Sequence, residues 1–141
     1  MQETSVPESV IASTILLLSE TGGELSMPVS GASMWPTLRP NDHITVRRDL
    51  WQINDILLFF QNEQVIVHRL LSRQPDGFLI TKGDNRRLSD APILEEHLIG
   101  RVVRVERHGH VVPVYRSLGR VLRYSWLVSA LQRRLQTVLR L

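Results

Sequence analysis

Residues 30–42 read SGASMWPTLRPND, which is an unusual composition for a simple connection between two strands. Small residues lead into Met34 and Trp35, and two prolines then restrict the backbone of the exit. Gly31 allows a sharp bend or a close approach to another part of the chain. A serine directly after such a bend, here Ser33, can present its hydroxyl and its backbone N–H to a bound carbonyl group. The stretch therefore fits two interpretations, a Gly/Pro turn before a strand and a loop that carries a nucleophilic serine.

Alternating and apolar runs on both sides of residues 30–42 predict a series of β-strands. Asn41-Asp42 and Asn54-Asp55 precede two of these runs, and asparagine tolerates a positive φ, so both pairs predict left-handed turns. We therefore expect a mainly β fold, a twisted antiparallel sheet assembly coiled around the serine loop. The predicted strands are a run beginning at Leu25, His43–Arg47, Ile56–Phe60, Gln64–Leu71, Phe78–Thr81, Leu98–Glu106 and Val111–Tyr115.

Both ends of the chain predict helices. Ser5 and Glu8 form a capping-box pattern, and a helix is expected from about Val6 to Glu20. This helix either packs on the body or is a membrane anchor reduced to a docking helix. From about Tyr115 to Leu141 apolar residues recur at helical spacing, with arginines away from them. The expected organisation is an N-terminal helix over residues 1–24, a β domain over residues 25–114 and a basic amphipathic helix over residues 115–141.

Charge is distributed unevenly along the chain. Residues 101–141 hold nine arginines against the single acidic residue Glu106, a net charge of +8, and the rest of the chain carries a net charge of −5. A basic tail on an acidic body favours an anionic partner, either a membrane surface or nucleic acid, although a solvated arginine face gives the same pattern. Packing of the last helix against the body, an in-plane membrane helix, a partner groove and a nucleic-acid contact all remain open.

Several functional classes find no support in the composition. There is no cysteine, which excludes a disulfide framework, a thiolate metal site and a cysteine nucleophile. His108 and His110 have no ligands at suitable spacing, so no metal or other cofactor is expected. No apolar run approaches the roughly 20 residues that span a bilayer, and no secretory signal is recognisable. We therefore expect a cytoplasmic or peripheral membrane protein, and of the two anionic partners we expect the membrane surface and not nucleic acid.

Three stretches occur in an order that matches a known family. SGASMWPTLRPND is followed by VIVHRLL at residues 65–71, and then by ITKGDN at residues 80–85 with Asp90 a short way beyond. Together they resemble the type I signal peptidase family, and His68 in place of the bacterial lysine resembles its archaeal and endoplasmic-reticulum subtype. The resemblance covers roughly residues 26–105 and implies a fold of the signal peptidase and self-cleaving repressor peptidase type.

The resemblance also implies roles for individual residues. Ser33 would be the nucleophile, His68 the general base and Asp90 the carboxylate that orients the base. Asp84 is a second candidate acid, expected to hold the loop that follows Lys82. The backbone N–H of Ser33 would stabilise the oxyanion. Some family members place a second donor, a serine hydroxyl, where this chain has Gly31, so the second donor is a departure from the family pattern.

The residues alone leave the role of His68 open. In the predicted strand, Ile66, His68 and Leu70 share one face, where a lone histidine is commonly a hydrogen-bonded core residue. With the other two motifs, the same residue becomes a suitable base, because histidine as a residue type can accept and return a proton near neutral pH.

The function expected from the resemblance is a serine endopeptidase that cleaves a leader or signal-like segment from a precursor polypeptide. The alternative is a non-catalytic peptide-binding module on the same scaffold. A self-cleaving repressor peptidase would use a lysine base, for which only Lys82 exists, and would need a DNA-binding domain for which the residues before the sheet are too few. The expected partners are a precursor polypeptide and a membrane surface contacted through the C-terminal helix.

Overall fold

The structure is a computed structural model that describes residues 22–114 without interruption. It also describes residues 13, 17, 18 and 20 near the N-terminus and residues 126, 127, 130, 131 and 133–135 near the C-terminus. The predicted helices over residues 6–20 and 115–141 lie for the most part outside the described residues, as does the capping box. Within the described ranges the fold is mainly β, with one short 3-10 helix at Glu95–His97.

The described chain forms a single antiparallel sheet of seven strands in the order β1-β2-β6-β3-β4-β5, with β7 paired to β6. Each run that predicted a strand overlaps one observed strand, so the strand predictions are confirmed with small shifts at the ends. The strands are β1 (Glu24–Pro28), β2 (His43–Arg47), β3 (Ile56–Gln61), β4 (Gln64–Arg73), β5 (Leu79–Lys82), β6 (Leu98–Arg107) and β7 (His110–Val112).

The strand β6 organises the sheet. Its Arg101 lies opposite Arg47 of β2 and opposite Leu57 of β3, so these two strands flank β6 on opposite edges. Beyond β3, the second half of β6 pairs with β7 through a tight hairpin at His108-Gly109. β6 is ten residues long and pairs with β2, which follows the serine loop, and with β3. The other edge of β3 pairs with β4, the strand that carries His68.

Two hydrophobic clusters lie on opposite faces of β3. Ile56 and Leu58 belong to the larger cluster, whereas Leu57 and Phe59 belong to the smaller one, as strand alternation requires. The larger cluster also contains Leu18, which is fully buried, so the N-terminal segment contacts the body at this residue. Within the part of the chain that the structure describes, no helix combines the length and the apolar character needed to cross a membrane.

The two Asn-Asp turns behave as the sequence predicts. Asn41 has a φ of 73° and Asn54 a φ of 75°, both in the left-handed region. Asn41 ends the serine loop just before β2, and Asn54 precedes β3. Asparagine, which tolerates a positive φ, therefore occupies the left-handed position of both turns.

The outer edge of β5 is covered by the segment that follows it. Ile93 exchanges two backbone hydrogen bonds with Leu79, at 2.8 and 3.0 Å, and the Asp90 N–H donates to the Thr81 carbonyl at 2.8 Å. Residues 90–93 thus occupy the hydrogen-bonding groups of an edge strand that would otherwise be open.

Candidate active site

The serine loop is a closed excursion between β1 and β2. Its base is fixed because the Val29 N–H donates to the Asp42 carbonyl at 2.8 Å. Its centre is anchored by Met34 and Leu38, which are buried in the larger cluster. Ser33 directly precedes Met34 and is half-buried, so its position is set by the core while its side chain stays accessible from outside.

Ser33, His68 and Asp90 form a continuous row of polar side chains. The Ser33 Oγ lies 3.1 Å from the His68 Nε2, although the two residues are 35 positions apart in sequence. The His68 Nδ1 lies 2.6 Å from the Asp90 Oδ2. The His68 side chain is 10% exposed and the Asp90 side chain 18%, so the row runs from a covered carboxylate to the accessible serine.

This geometry selects one tautomer of the neutral imidazole. The carboxylate of Asp90 can only accept, so the Nδ1 of His68 must carry the proton and donate it. The Nε2 then has a free lone pair that faces the Ser33 hydroxyl, which donates to it. The arrangement has the form needed to remove a proton from a serine hydroxyl.

Asp90 is itself held by Thr81. The Thr81 hydroxyl is fully buried and donates to the Asp90 Oδ2 at 2.7 Å, the same oxygen that faces the imidazole. A backbone hydrogen bond joins the same two residues. Both contacts arise because the segment 90–93 covers the edge of β5, and they restrict rotation of the carboxylate beside His68.

Asp84 lies in the interior, where it pairs with Arg69. The Arg69 guanidinium donates two parallel hydrogen bonds to the Asp84 carboxylate, each 2.8 Å long, and a third to the Asn54 carbonyl at 2.7 Å. The Thr37 hydroxyl donates to the Asp84 Oδ2 at 2.5 Å. Because Thr37 belongs to the serine loop, this buried pair joins the serine loop to the acidic loop that begins at Gly83. Asp84 therefore has a structural position, away from the imidazole.

Lys82 ends β5 and borders the acidic loop, as the sequence indicates, but its side chain is buried. Its ammonium group donates to the carbonyl of Gly83 at 2.8 Å and to that of Arg86 at 2.6 Å. The lysine is thus engaged in holding the turn of the acidic loop, since β5 carries its side chain beneath that turn.

Gly83 allows the acidic loop to contact the serine loop closely. A Cβ atom at this position would lie 2.6 Å from the Ser33 carbonyl oxygen and 3.1 Å from the His68 Nε2. Both distances are shorter than normal van der Waals contact, and the first atom belongs to the backbone. A side chain at residue 83 would therefore force the acidic loop away from Ser33 and His68.

The backbone conformation at residue 31 favours glycine over serine. Gly31 has a φ of 78°, a conformation that residues with side chains rarely adopt. A serine at this position would be strained although space is available around it. The local backbone therefore disfavours the side-chain donor that some relatives of the resembled family use.

A second ion pair holds the end of the serine loop. Arg107 of β6 donates to both oxygens of Asp42, at 2.9 and 2.8 Å. Burial of the Asp42 carboxyl acts to raise its pKa, but the hydrogen bonds from Arg107 and from the Arg39 backbone outweigh it, and the nearby positive charges add to them, so the pKa is lowered below 3.8. The same partner raises the pKa of Arg107.

Sequence reasoning did not identify the supporting residues of the site. Arg69 offered the clearest signal, because strand alternation puts it on the same face as Val65 and Val67, which pack on the larger cluster. An arginine on an apolar face requires a buried acidic partner. No such signal distinguishes Thr37 or Thr81 from ordinary loop and strand residues.

No model of a protein family matches the chain, and no curated protein matches it.

Proposed function

We propose that this protein is a serine endopeptidase that removes a leader or signal-like segment from a precursor polypeptide. The observation that carries the proposal is the row Ser33–His68–Asp90, with contacts of 3.1 and 2.6 Å in the order that serine hydrolysis requires. The resemblance of the three motifs to type I signal peptidases supplies the substrate class.

In the first half of the reaction, the Ser33 hydroxyl attacks the carbonyl carbon of the scissile peptide bond. His68 accepts the hydroxyl proton at Nε2 and becomes an imidazolium, which the Asp90 carboxylate stabilises. The Ser33 N–H donates to the oxygen that becomes negatively charged. When the tetrahedral intermediate collapses, His68 returns the proton to the leaving amine and an ester to Ser33 remains.

In the second half, water replaces the amine. His68, neutral again, removes a proton from a water molecule that attacks the ester carbonyl. Collapse of this second intermediate returns the proton to the Ser33 oxygen and releases the new carboxyl terminus. By the resemblance, the precursor binds in an extended conformation along a strand edge, with small residues before the scissile bond.

A fluorophosphonate probe tests the proposal without knowledge of the precursor, because it phosphonylates only an activated serine. Mass spectrometry of the labelled protein should locate the adduct on Ser33, and both Ser33→Ala and His68→Ala should abolish labelling. Ser72→Ala is the matched control, since Ser72 lies on β4 and only accepts a hydrogen bond from Gln74.

Cleavage is then measured with peptides that carry small residues at alternate positions before the bond. Cleavage that requires Ser33 supports the proposal. If the folded wild type binds such peptides and neither cleaves them nor reacts with the probe, it is a peptide-binding module and the enzymatic proposal is wrong.

The proposal includes the finer fold type and a membrane partner. The sheet and the serine loop belong to a fold of the signal peptidase type, with a helix at each end. Leu127, Leu131 and Leu135 recur at intervals of four residues and are 50%, 60% and 53% exposed, as expected for the apolar face of a helix that lies on a bilayer. The positive charge of residues 101–141 favours anionic lipids.

The C-terminal segment contacts the acidic loop at Trp126, where the Arg87 guanidinium carbon is 5.6 Å from the centre of the Trp126 ring. Leu88, next to Arg87, is exposed and adds apolar surface. Asp90 lies three residues beyond Arg87 along the chain. A membrane bound through Trp126 and Leu88 would therefore contact the stretch of chain that leads to Asp90.

A further inference from the structure

The acidic loop contacts the serine loop through a pair of hydrogen bonds from one residue. The backbone N–H of Asn85 donates to the Ser33 carbonyl at 2.8 Å. The side-chain Nδ2 of the same residue donates to the Ala32 carbonyl at 3.0 Å. Two successive carbonyl groups of the serine loop therefore accept hydrogen bonds from one asparagine, and the Ala32 carbonyl accepts a second one from the Trp35 N–H at 3.2 Å.

Fixing the Ala32 carbonyl also fixes the Ser33 N–H. The two groups belong to the same peptide unit, which is planar, and in a trans unit they point in opposite directions. Among the described residues, the cis peptide bond is at Trp35–Pro36, so the unit between Ala32 and Ser33 is trans. With its carbonyl held by the shorter bond from the Asn85 side chain and the longer one from the Trp35 N–H, this unit directs the Ser33 N–H away from Asn85. That N–H is the oxyanion donor of the mechanism above.

The position of the Asn85 backbone does not depend on the Asn85 side chain. Gly83 packs on Ser33, and Asp84 is held by Arg69 and Thr37 in the interior. The backbone bond from Asn85 to Ser33 follows from this packing. The side-chain bond to Ala32 is therefore a separable addition that acts on one peptide plane.

The side-chain oxygen of Asn85 makes no hydrogen bond with the described residues. This oxygen, Oδ1, is buried. Buried acceptors without a partner are uncommon and call for an explanation at each site where they occur. The requirement for the Nδ2 donor at Ala32 provides one, because the opposite orientation of the amide would turn an oxygen towards the carbonyl.

We propose that Asn85 is the positioning residue of the oxyanion site: its side-chain amide holds the Ala32–Ser33 peptide so that the Ser33 N–H faces the developing oxyanion. The proposal rests on the proposed function. It assigns to the Asn85 side chain a role in transition-state stabilisation that neither Asp84 nor Lys82 shares.

Asn85→Asp and Asn85→Ala remove the donor while leaving the backbone N–H in place. Asn62→Asp, in the exposed turn between β3 and β4, is the matched control. For both Asn85 variants we expect kcat to fall about 10²-fold, the typical loss of one oxyanion donor. KM and the midpoint of the pH profile should stay unchanged, because the substrate-binding strands and the Ser33–His68–Asp90 row remain.

Affinity for a peptide boronate, which forms a tetrahedral adduct with serine, should fall in parallel with kcat. A merely structural role predicts a different result, a lower unfolding midpoint with KM and kcat affected together. Unchanged kcat in Asn85→Ala, or a pH profile that shifts with the rate, would overturn the proposal.

Crystal structures of the wild type and of Asn85→Ala test the positioning without any activity. The Ala32–Ser33 peptide plane should rotate in the variant, whereas the Ser33–His68 contact should remain. If the plane is unchanged, the inference about Asn85 is wrong even when the wild type cleaves peptides. If the wild type neither cleaves peptides nor reacts with a fluorophosphonate, the proposed function fails and the peptide plane alone decides the role of Asn85.

Discussion

Arg69→Met should destabilise the protein strongly because it leaves the carboxylate of Asp84 without its cation. Both side chains are almost completely buried, with exposed fractions of 1% and 0%. Removing one partner of a buried ion pair typically costs about 3–5 kcal/mol, since the remaining charge is desolvated and unpaired. Methionine preserves most of the volume of the arginine stem. The loss of stability therefore measures the removal of the charge and not the creation of a cavity.

That loss is a large part of the stability of a small domain, which is about 5–15 kcal/mol. For a chain of this size it corresponds to a decrease in Tm of about 10–20 °C. Urea unfolding followed by tryptophan fluorescence measures it directly. Arg47→Met is the matched control, because Arg47 pairs with Glu24 at the surface, where both side chains are nearly half exposed and ion pairs contribute little.

A double-mutant cycle separates the charge from the packing. In the Arg69→Met background, Asp84→Asn removes the stranded carboxylate, so the double variant should lose less stability than the two single losses added together. The reasoning is refuted if Arg69→Met unfolds at the same urea concentration as Arg47→Met, or if the two single losses simply add.

Three further predictions concern the base, the acid response and the basic tail. His68→Ala should abolish precursor cleavage while Lys82→Met retains part of it, because His68 contacts the Ser33 hydroxyl, whereas Lys82 donates to the carbonyls of Gly83 and Arg86. The opposite pattern of activity in the two variants would contradict the assignment of the base. Asp42→Asn should lower the free energy of unfolding at pH 7. The difference in unfolding free energy between this variant and the wild type should shrink as the pH falls below 3.8, because the lowered pKa of Asp42 stabilises the fold only while the carboxyl is ionised. A difference that does not depend on pH would contradict the role given to Arg107. Truncation after Val114 should reduce flotation with anionic vesicles and leave flotation with neutral vesicles unchanged, and equal binding of both forms would show that the tail is not the membrane contact.

The strands could be predicted because each is a local pattern with clear ends. β2 was predicted to the residue, since His43–Arg47 alternates and begins directly after the left-handed Asn41 turn. The order of the strands in the sheet could not be predicted in the same way. β6 inserts between β2 and β3, and such pairing depends on contacts between distant segments that no local pattern encodes.

In the candidate site, too, some features could be predicted from the sequence and others could not. Ser33, His68 and Asp90 were named from motifs, and the structure brings their side chains together, although their catalytic roles stay a prediction. The burial of Lys82 and the interior position of Asp84 were not foreseen. Both follow from how β5 and the acidic loop fold over the serine loop, and spacing along the chain carries no information about that packing.

The segment that covers β5 has a consequence for how this protein can fail. Open sheet edges are the places where chains associate into aggregates, because their unpaired N–H and carbonyl groups accept a further strand. Here the protective segment is also the one that carries Asp90. A foreign strand that added to β5 would have to displace Asp90 from Thr81 and His68. Loss of the protecting segment therefore also removes the carboxylate that is proposed to orient His68, so aggregated chains joined at this edge should be inactive even where the rest of the sheet is native.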